Sequence, residues 1–350
     1  MNREEFLVEL SANPRRAVAA TIGQCLDPHV LTSPVMANVA DFSTAKQGEQ
    51  IKTFQAERSD KYVVYDVDPA TCDMTAKNVS PTEPVLLAFK GLQTELITYL
   101  VTDLLNSEDL SCFADANARL TTSLDVLESR MICWSLLNKG IKGLATGNSS
   151  NTLVESISSV VPETGDDIYD LIMKADKIVN PYGSDKLVLT GSNVDFSLST
   201  YMKRKAAIDN FAFDSKAGYD AAGISFQKVI GQVQWTGTLH NVGSAGIATS
   251  SSEVAVMDAD RFIMVARNGA RTGKRPIKVI RREIAPAIAK LMGVTVDGAQ
   301  RATMTDTIYQ NVSGTAQAAI AAWAMESLIY CVTDYRCIAV SPDVSAYLEN

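Results

Sequence analysis

Asp109–Asn138, DLSCFADANARLTTSLDVLESRMICWSLLN, is the stretch on which the fold turns. Its apolar residues Leu110, Phe113, Leu120, Leu124, Leu127, Met131 and Trp134 recur at intervals of three, four or seven. That spacing builds one stripe along an α-helix. Cys112–Lys139 contains neither glycine nor proline, Asp109 or Ser107 stands ready to cap the start, and Lys139-Gly140 supplies a cation and a C′ glycine. About 30 residues at 1.5 Å per residue predict a helix near 45 Å long. That exceeds the usual three to four turns, and so long a stripe needs an extended partner surface.

Upstream, residues 1–58 read as an arm. Glu4–Leu10 suits a short helix, Pro14, Pro28 and Pro34 interrupt regular structure, and Asp41–Arg58 shows no sustained apolar period. Residues 59–84 read as an extended hairpin loop. Tyr62–Val67 (YVVYDV) has strong β-propensity, Asp68-Pro69 opens a turn, and Met74–Val79 runs extended into Pro81 and Pro84. Val85–Leu105 is apolar with spaced polar residues and fits a strand followed by a helix, the periods leaving the choice open.

Downstream, Gly143–Asn151 is a small-residue linker. Asp166–Val179 has helical spacing, Pro181-Tyr182-Gly183 is a turn, Lys186–Thr190 (KLVLT) is a buried strand, and Val194–Ala207 is a second helix. Ser225–Val242 turns to a β pattern, and Gly243–Ser252 is a loop. Glu253–Val265, Ile277–Ile280 and Leu328–Val340 read as extended pieces, while the alanine-rich Asn311–Ser327 suits a helix.

The chain's 350 residues are 46% hydrophobic and 21% charged, which suits a folded chain of one large or two ordinary domains. A formal charge of −8 opposes a whole-molecule grip on nucleic acid. The N-terminus has no signal-peptide core, and no apolar run of membrane-spanning length occurs. The six cysteines form no CxxC pair, which fits reduced thiols and no metal site. With two histidines, His29 and His240, and no HExxH, GxSxG, Walker A or GxGxxG, the chain offers little for catalysis and no cofactor fingerprint. Asp166-Asp167 reads as a helix N-terminus rather than a catalytic pair.

One electrostatic asymmetry stands out. Arg261–Arg282 holds eight basic residues, including Arg267, Arg271, Lys274, Arg275, Arg281 and Arg282, and no acid. Glu95–Glu128 holds seven acids, among them Glu108, Asp109 and Asp115, against Arg119 alone. Three readings stand open: the two segments meet across a subunit boundary, the basic one touches phosphates, or both are solvated faces of one monomer.

The order of arm, hairpin, long helix, helix–strand–helix unit and returning β segments resembles the major capsid protein of tailed bacteriophages, the Hong-Kong-97-type fold shared with encapsulins. Lys186–Thr190 with the helix after it resembles the strand–helix step of that family's axial domain. Asp258–Met264 and Cys337–Pro342 resemble strands of its peripheral domain. The resemblance implies an α+β fold with an arm (1–58), extended hairpin loop (59–84), peripheral domain with spine helix (85–142), axial α/β domain (143–250), and peripheral strands with the C-terminus (251–350). It implies a non-enzymatic major capsid protein, without cofactor or metal, that self-assembles into hexamers and pentamers of an icosahedral shell enclosing double-stranded DNA. Its partners would be many copies of itself, a separate scaffolding protein or none at all, a portal and decoration proteins, with the packaged DNA held non-specifically and no membrane. Such a chain is made and assembled in the host cytoplasm and ends in the virion capsid. The hairpin tip would carry Cys72 toward Cys331 or Cys337 of a neighbour, where an intersubunit disulfide could form outside the cell. Val294–Ala322 fits the family pattern poorly. A rival reading is a soluble α/β enzyme or ligand-binding protein with a pocket within 166–242.

Overall fold

The computed structural model describes residues 34–46, 49, 51–54, 84–87, 89–94, 97–102, 111–137, 157–208, 223–229, 232–234, 253–270, 273–283, 300–312 and 314–348. Much of the arm (1–33) and nearly all of the hairpin (55–83) lie outside them, as do most of the 143–157 and 235–252 linkers.

Helix α1 (Pro34–Val39) leads into β1 (Ala40–Ala45), followed by β2 (Ile51–Phe54), β3 (Pro84–Leu87), β4 (Lys90–Gln93) and β5 (Ile97–Leu100). The long helix forms as α2 (Ser111–Leu137), 27 residues without interruption. Then come β6 (Ser158–Ser159), α3 (Ile168–Val179), β7 (Gly183–Thr190), α4 (Ser192–Ile208), β8 (Ile224–Lys228), β9 (Gln232–Gln234), β10 (Glu253–Ala255), β11 (Phe262–Gly269), β12 (Ile277–Arg282), β13 (Arg301–Val312), β14 (Thr315–Val332) and β15 (Ile338–Val340). The molecule is a mixed α+β structure.

Two large sheets organise it. The first runs β1-β12-β14-β13, with β4 and β5 also paired to β14. The second runs β6-β15-β11-β7-β8. Side-chain alternation along a strand decides which core each residue enters. In the second sheet Leu187, Leu189, Ile263, Val265, Ile338 and Val340 join the core built on α2, while Val188, Phe262, Met264, Ala266 and Ala339 join a second core with α3 and α4. Both faces of this sheet are covered, which explains why KLVLT reads as a continuous apolar run. Helix α3 starts on a capping box, with Asp167 accepting from the Asp170 N–H and Asp170 accepting from the Asp167 N–H. It buries Ile168, Leu171, Ile172, Ala175 and Val179.

Four expectations need correction. First, the arm ends sooner than residue 58. Val35 and Val39 of α1 are buried in the α2 core, and β1 pairs in parallel with β12 from Ala40–Ile277 to Ala45–Arg282. A strand paired on one side and half exposed needs no strict period, so its sequence reads as scattered. Second, Val85–Leu105 supplies three short strands, β3, β4 and β5, before any helical residue. Third, Asn311–Ser327 is not helical. β13 and β14 pair over twelve positions from Arg301–Glu326 to Val312–Thr315, and Gly314 takes φ +82° in the turn. The partner strand is rich in threonine and other β-formers, and tertiary pairing outweighs alanine's helical preference. Fourth, β11 and β15, expected among the peripheral strands, pair with β7 and with each other in the second sheet. The 143–250 unit therefore draws two strands from beyond residue 250.

Candidate assembly surfaces and a buried ion cluster

Period-2 alternation that fills the α2 core also drives charge into it. On β12, Ile277 and Val279 face that core, so Arg281 does too. On β14, Ile320, Ala322, Ala324, Leu328, Tyr330 and Val332 face it, and Glu326 shares their parity. On α2, Glu128 stands four residues after Leu124 and four before Ile132, both buried, so it lies on the buried stripe. The three meet. Arg281 Nη2 donates to Glu128 Oε1 at 2.6 Å, and Arg281 Nε lies 3.7 Å from Glu326 Oε2, all three side chains being at most 1% exposed. The guanidinium also lies 4.8 Å from the centre of the Phe42 ring on β1. One helix and three strands are thereby tied at a single point. The parity of 277, 279 and 281, and the four-residue step from Leu124 to Glu128, were the signals in the sequence that marked these charges as interior.

Arg281 of the basic segment thus meets Glu128 of the acidic segment inside one chain. Other residues of the basic segment also make contacts within the chain. Arg282 lies 4.0 Å over the Phe89 ring. The Arg275 N–H donates to the Asp41 carboxylate at 3.1 Å, and its guanidinium donates to the carbonyls of Ala37 and, at 2.9 Å, Ala40. This clamp holds α1 and β1 against the sheet. Arg267 Nη2 donates to Asp185 Oδ1 at 2.5 Å. Lys274 and Lys278 are exposed. Arg271, Glu108 and Asp109 lie outside the described residues, and Asp115 sits in α2 with its side chain outside them.

A second polar junction joins the C-terminal part of α2 to the second sheet. Arg261 donates to the backbone carbonyls of Leu137 at 3.1 Å and Ser341 at 2.9 Å. Asp258 lies 3.8 Å from both Arg130 and Arg261. Burial lowers the pKa of both guanidinium groups, opposed by Asp258.

The thiols divide likewise. Cys337 is fully buried beside α3, its Sγ 3.4 Å from the Tyr182 carbonyl, so it is removed as a partner for a neighbour's Cys72. Cys72 lies outside the described residues, as does the Cys331 thiol, although the Cys331 backbone pairs with Lys278 in β14. Burial pushes the Cys133 thiol up to about 12. No group of metal-ligating side chains forms among the described residues.

Among the described residues, several large apolar side chains are exposed. Tyr309 near the end of the β13–β14 ribbon is 78% exposed, Val161 after β6 is 71% exposed, and Phe196 on α4 is 64% exposed. The last four pairs of the ribbon, Tyr309–Ala318 to Val312–Thr315, extend beyond the reach of β5, whose pairing with β14 stops at Ala319. β2 and β3 pair antiparallel from Ile51–Leu87 to Phe54–Pro84, bracketing residues 55–83 in the chain.

No family model and no curated protein matches the chain. Its layout is similar to solved structures at low identity. One is the capsid of the cyanophage P-SCSP1u, at 9% identity and TM-score 0.46, with 89% of each chain covered. Another is the mature capsid of bacteriophage PhiM1, at 6% identity and TM-score 0.47, covering 90% of this chain and 89% of that one. A third is a virus-like particle from Pyrococcus furiosus, at 10% identity and TM-score 0.42, covering 94% and 98%. No helix among the described residues is long and apolar enough to cross a membrane.

Proposed function

We propose that this chain is a major capsid protein of the Hong-Kong-97 type, a structural subunit whose copies form the hexamers and pentamers of an icosahedral shell around double-stranded DNA. The observation that carries the reading is a pair of two-stranded antiparallel stretches, β2–β3 and the end of β13–β14. The β2–β3 pair brackets residues 55–83, and the β13–β14 ribbon runs past the pairing of β14 with β5, with Tyr309 exposed near its end. An isolated two-stranded ribbon is marginal in water, and an exposed tyrosine is a favoured interface anchor. Both features gain from burial against further copies, at about 25 cal/mol per Å² before ordering costs. The arm, the hairpin and the exposed lysines of the basic segment would reach neighbours, with scaffolding, portal and decoration proteins as further partners in the host cytoplasm and the finished virion.

The test is the size of the purified chain in solution and by electron microscopy. Closed particles, or hexamers and pentamers, are expected. A concentration-independent monomer in every salt and crowding condition that promotes protein assembly would overturn the proposal.

A further inference from the structure

Helix α3 carries opposite charge at its two ends. Residues 163–174, its first turns and the loop before it, hold four carboxylates, Glu163, Asp166, Asp167 and Asp170, against Lys174 alone. Lys174 is committed to two of them, its Nζ lying 3.0 Å from Glu163 and 2.7 Å from Asp166. Asp167 and Asp170 accept from backbone N–H groups in the capping box, which orients these carboxylates without cancelling their charge. Beside them Tyr169, 37% exposed, stacks on the half-buried Tyr201 of α4 with ring centres 5.9 Å apart. An exposed tyrosine face next to carboxylates suits an ammonium or guanidinium group, through the ring quadrupole and the charge together.

The other end of α3 is basic. Lys177 in its last turn is exposed. The turn between β11 and β12 sits against the same end: the Ala270 N–H donates to the Tyr182 carbonyl at 2.8 Å, and the Tyr182 N–H donates to the Val179 carbonyl at 2.9 Å. That turn carries the exposed Lys274, whose carbonyl accepts from the Gly269 N–H at 3.1 Å. The nearby carboxylates Asp176 and Asp185 are engaged by Lys186 and Arg267. Asp167 and Lys177 are ten residues apart, about 15 Å along a helix. Exposed charges at that separation are screened, the Debye length being about 8 Å at physiological salt. One chain therefore does not bring its two ends together.

We propose that copies of this chain join head to tail through α3, the Tyr169–Asp170 end of one copy taking Lys177 and Lys274 of the next. The inference rests on the capsid reading and names a contact between neighbours within one ring. A head-to-tail contact uses different patches on its two sides and closes into a ring where its rotation allows. Acidic end against acidic end is repelled, as is basic against basic, which sets the direction of addition.

Charge reversal in the full-length chain tests this. One variant carries Asp170→Lys, and a second carries Lys177→Glu with Lys274→Glu. Each is checked for native circular dichroism. Where a reversal disturbs the fold, Asp170→Asn, or Lys177→Gln with Lys274→Gln, takes its place in the single-variant arm. Assembly is followed by light scattering and electron microscopy. Each variant alone should assemble about tenfold or more slowly than wild type, because each contact then sets like charges together. Mixed in equal amounts, the two reversal variants should assemble again, since unlike neighbours attract on both sides. Strict alternation closes only even-numbered rings, so mixed hexamers should form and pentamers should not. Variants that assemble alone at the wild-type rate, or a mixture no better than either variant, overturn the contact, while wild-type shells keep the capsid reading. Mixed dimers that grow no further overturn the head-to-tail geometry. A wild type that never assembles overturns both.

Discussion

Replacing Glu128 by leucine tests the buried ion cluster most directly. Leucine is close to glutamate in volume and suits the α2 stripe, so packing changes little. The electrostatics change greatly. Arg281 loses its 2.6 Å charge-assisted bond, and the nearest Glu326 oxygen is 3.7 Å from Nε, beyond hydrogen-bond distance. Stranding one partner of a buried pair costs about 3–5 kcal/mol. Against a total of about 5–15 kcal/mol for a typical domain, that is about a fifth of the stability or more. With a urea m-value of about 3 kcal/mol/M, the unfolding midpoint should fall by about 1–1.7 M. Arg281→Met should be worse, because it leaves two carboxylates in an apolar core. Glu326→Leu should be mildest, since the shorter bond survives. The triple replacement Glu128→Leu, Arg281→Met, Glu326→Leu removes every charge and should recover wild-type stability or exceed it by about 1–4 kcal/mol. Urea unfolding followed by far-UV circular dichroism measures all four. A Glu128→Leu midpoint within 0.2 M of wild type, stated as roughly 0.5 kcal/mol on the same slope, would refute the assignment of this cluster to the interior. So would a triple variant no better than Arg281→Met.

Leu124→Asp puts an unpaired charge into the α2 core and should cost several kcal/mol, so that little soluble protein is recovered on expression. Gly191→Ala should lower the melting temperature by several degrees in a thermal scan, because an added Cβ would stand 2.2 Å from the Asp258 carbonyl oxygen and 2.4 Å from that of Ala259. Alkylation mapped by mass spectrometry at pH 8 should leave Cys133 and Cys337 unlabelled in the native protein and label both in urea, since both are fully buried and the Cys133 thiol is pushed up to about 12. Deleting residues 1–33 should leave the body folded, whereas deleting 1–45 removes α1, β1 and the acceptors of Arg275 and should lower the urea midpoint measurably. Asp166 is held below the usual carboxylate range by Lys174, with the Glu163 N–H assisting. In Lys174→Met its titration, followed by NMR, should move up toward an ordinary aspartate. In the wild type that contact favours folding above the unfolded pKa and is lost as pH falls through the lower folded value.

The separate fates of these residues follow from how local each signal is. The α2 stripe, the helix start at Asp166-Asp167, the KLVLT strand and the helix after it were legible because each is encoded within a few residues, by spacing, charge at a helix end or β-propensity. Strand pairing is not encoded that way. Whether Asn311–Ser327 is helix or strand depends on β13, on the other side of the turn, and alanine's preference for helix is only a fraction of a kcal/mol per residue. Asp41–Ala45 reads as irregular until β12 lies beside it.

The same division governs the charges. Composition and order alone showed a basic segment and an acidic segment, and one long apolar stripe that requires a broad partner. Tertiary structure decided where Arg281 and Glu128 meet. Parity on β12 and β14 and the helical step on α2 bring Arg281, Glu326 and Glu128 from three distant parts of the chain to one buried point. Their attraction is strong there because water is excluded, and exclusion of water is a property of the packed interior rather than of any one segment.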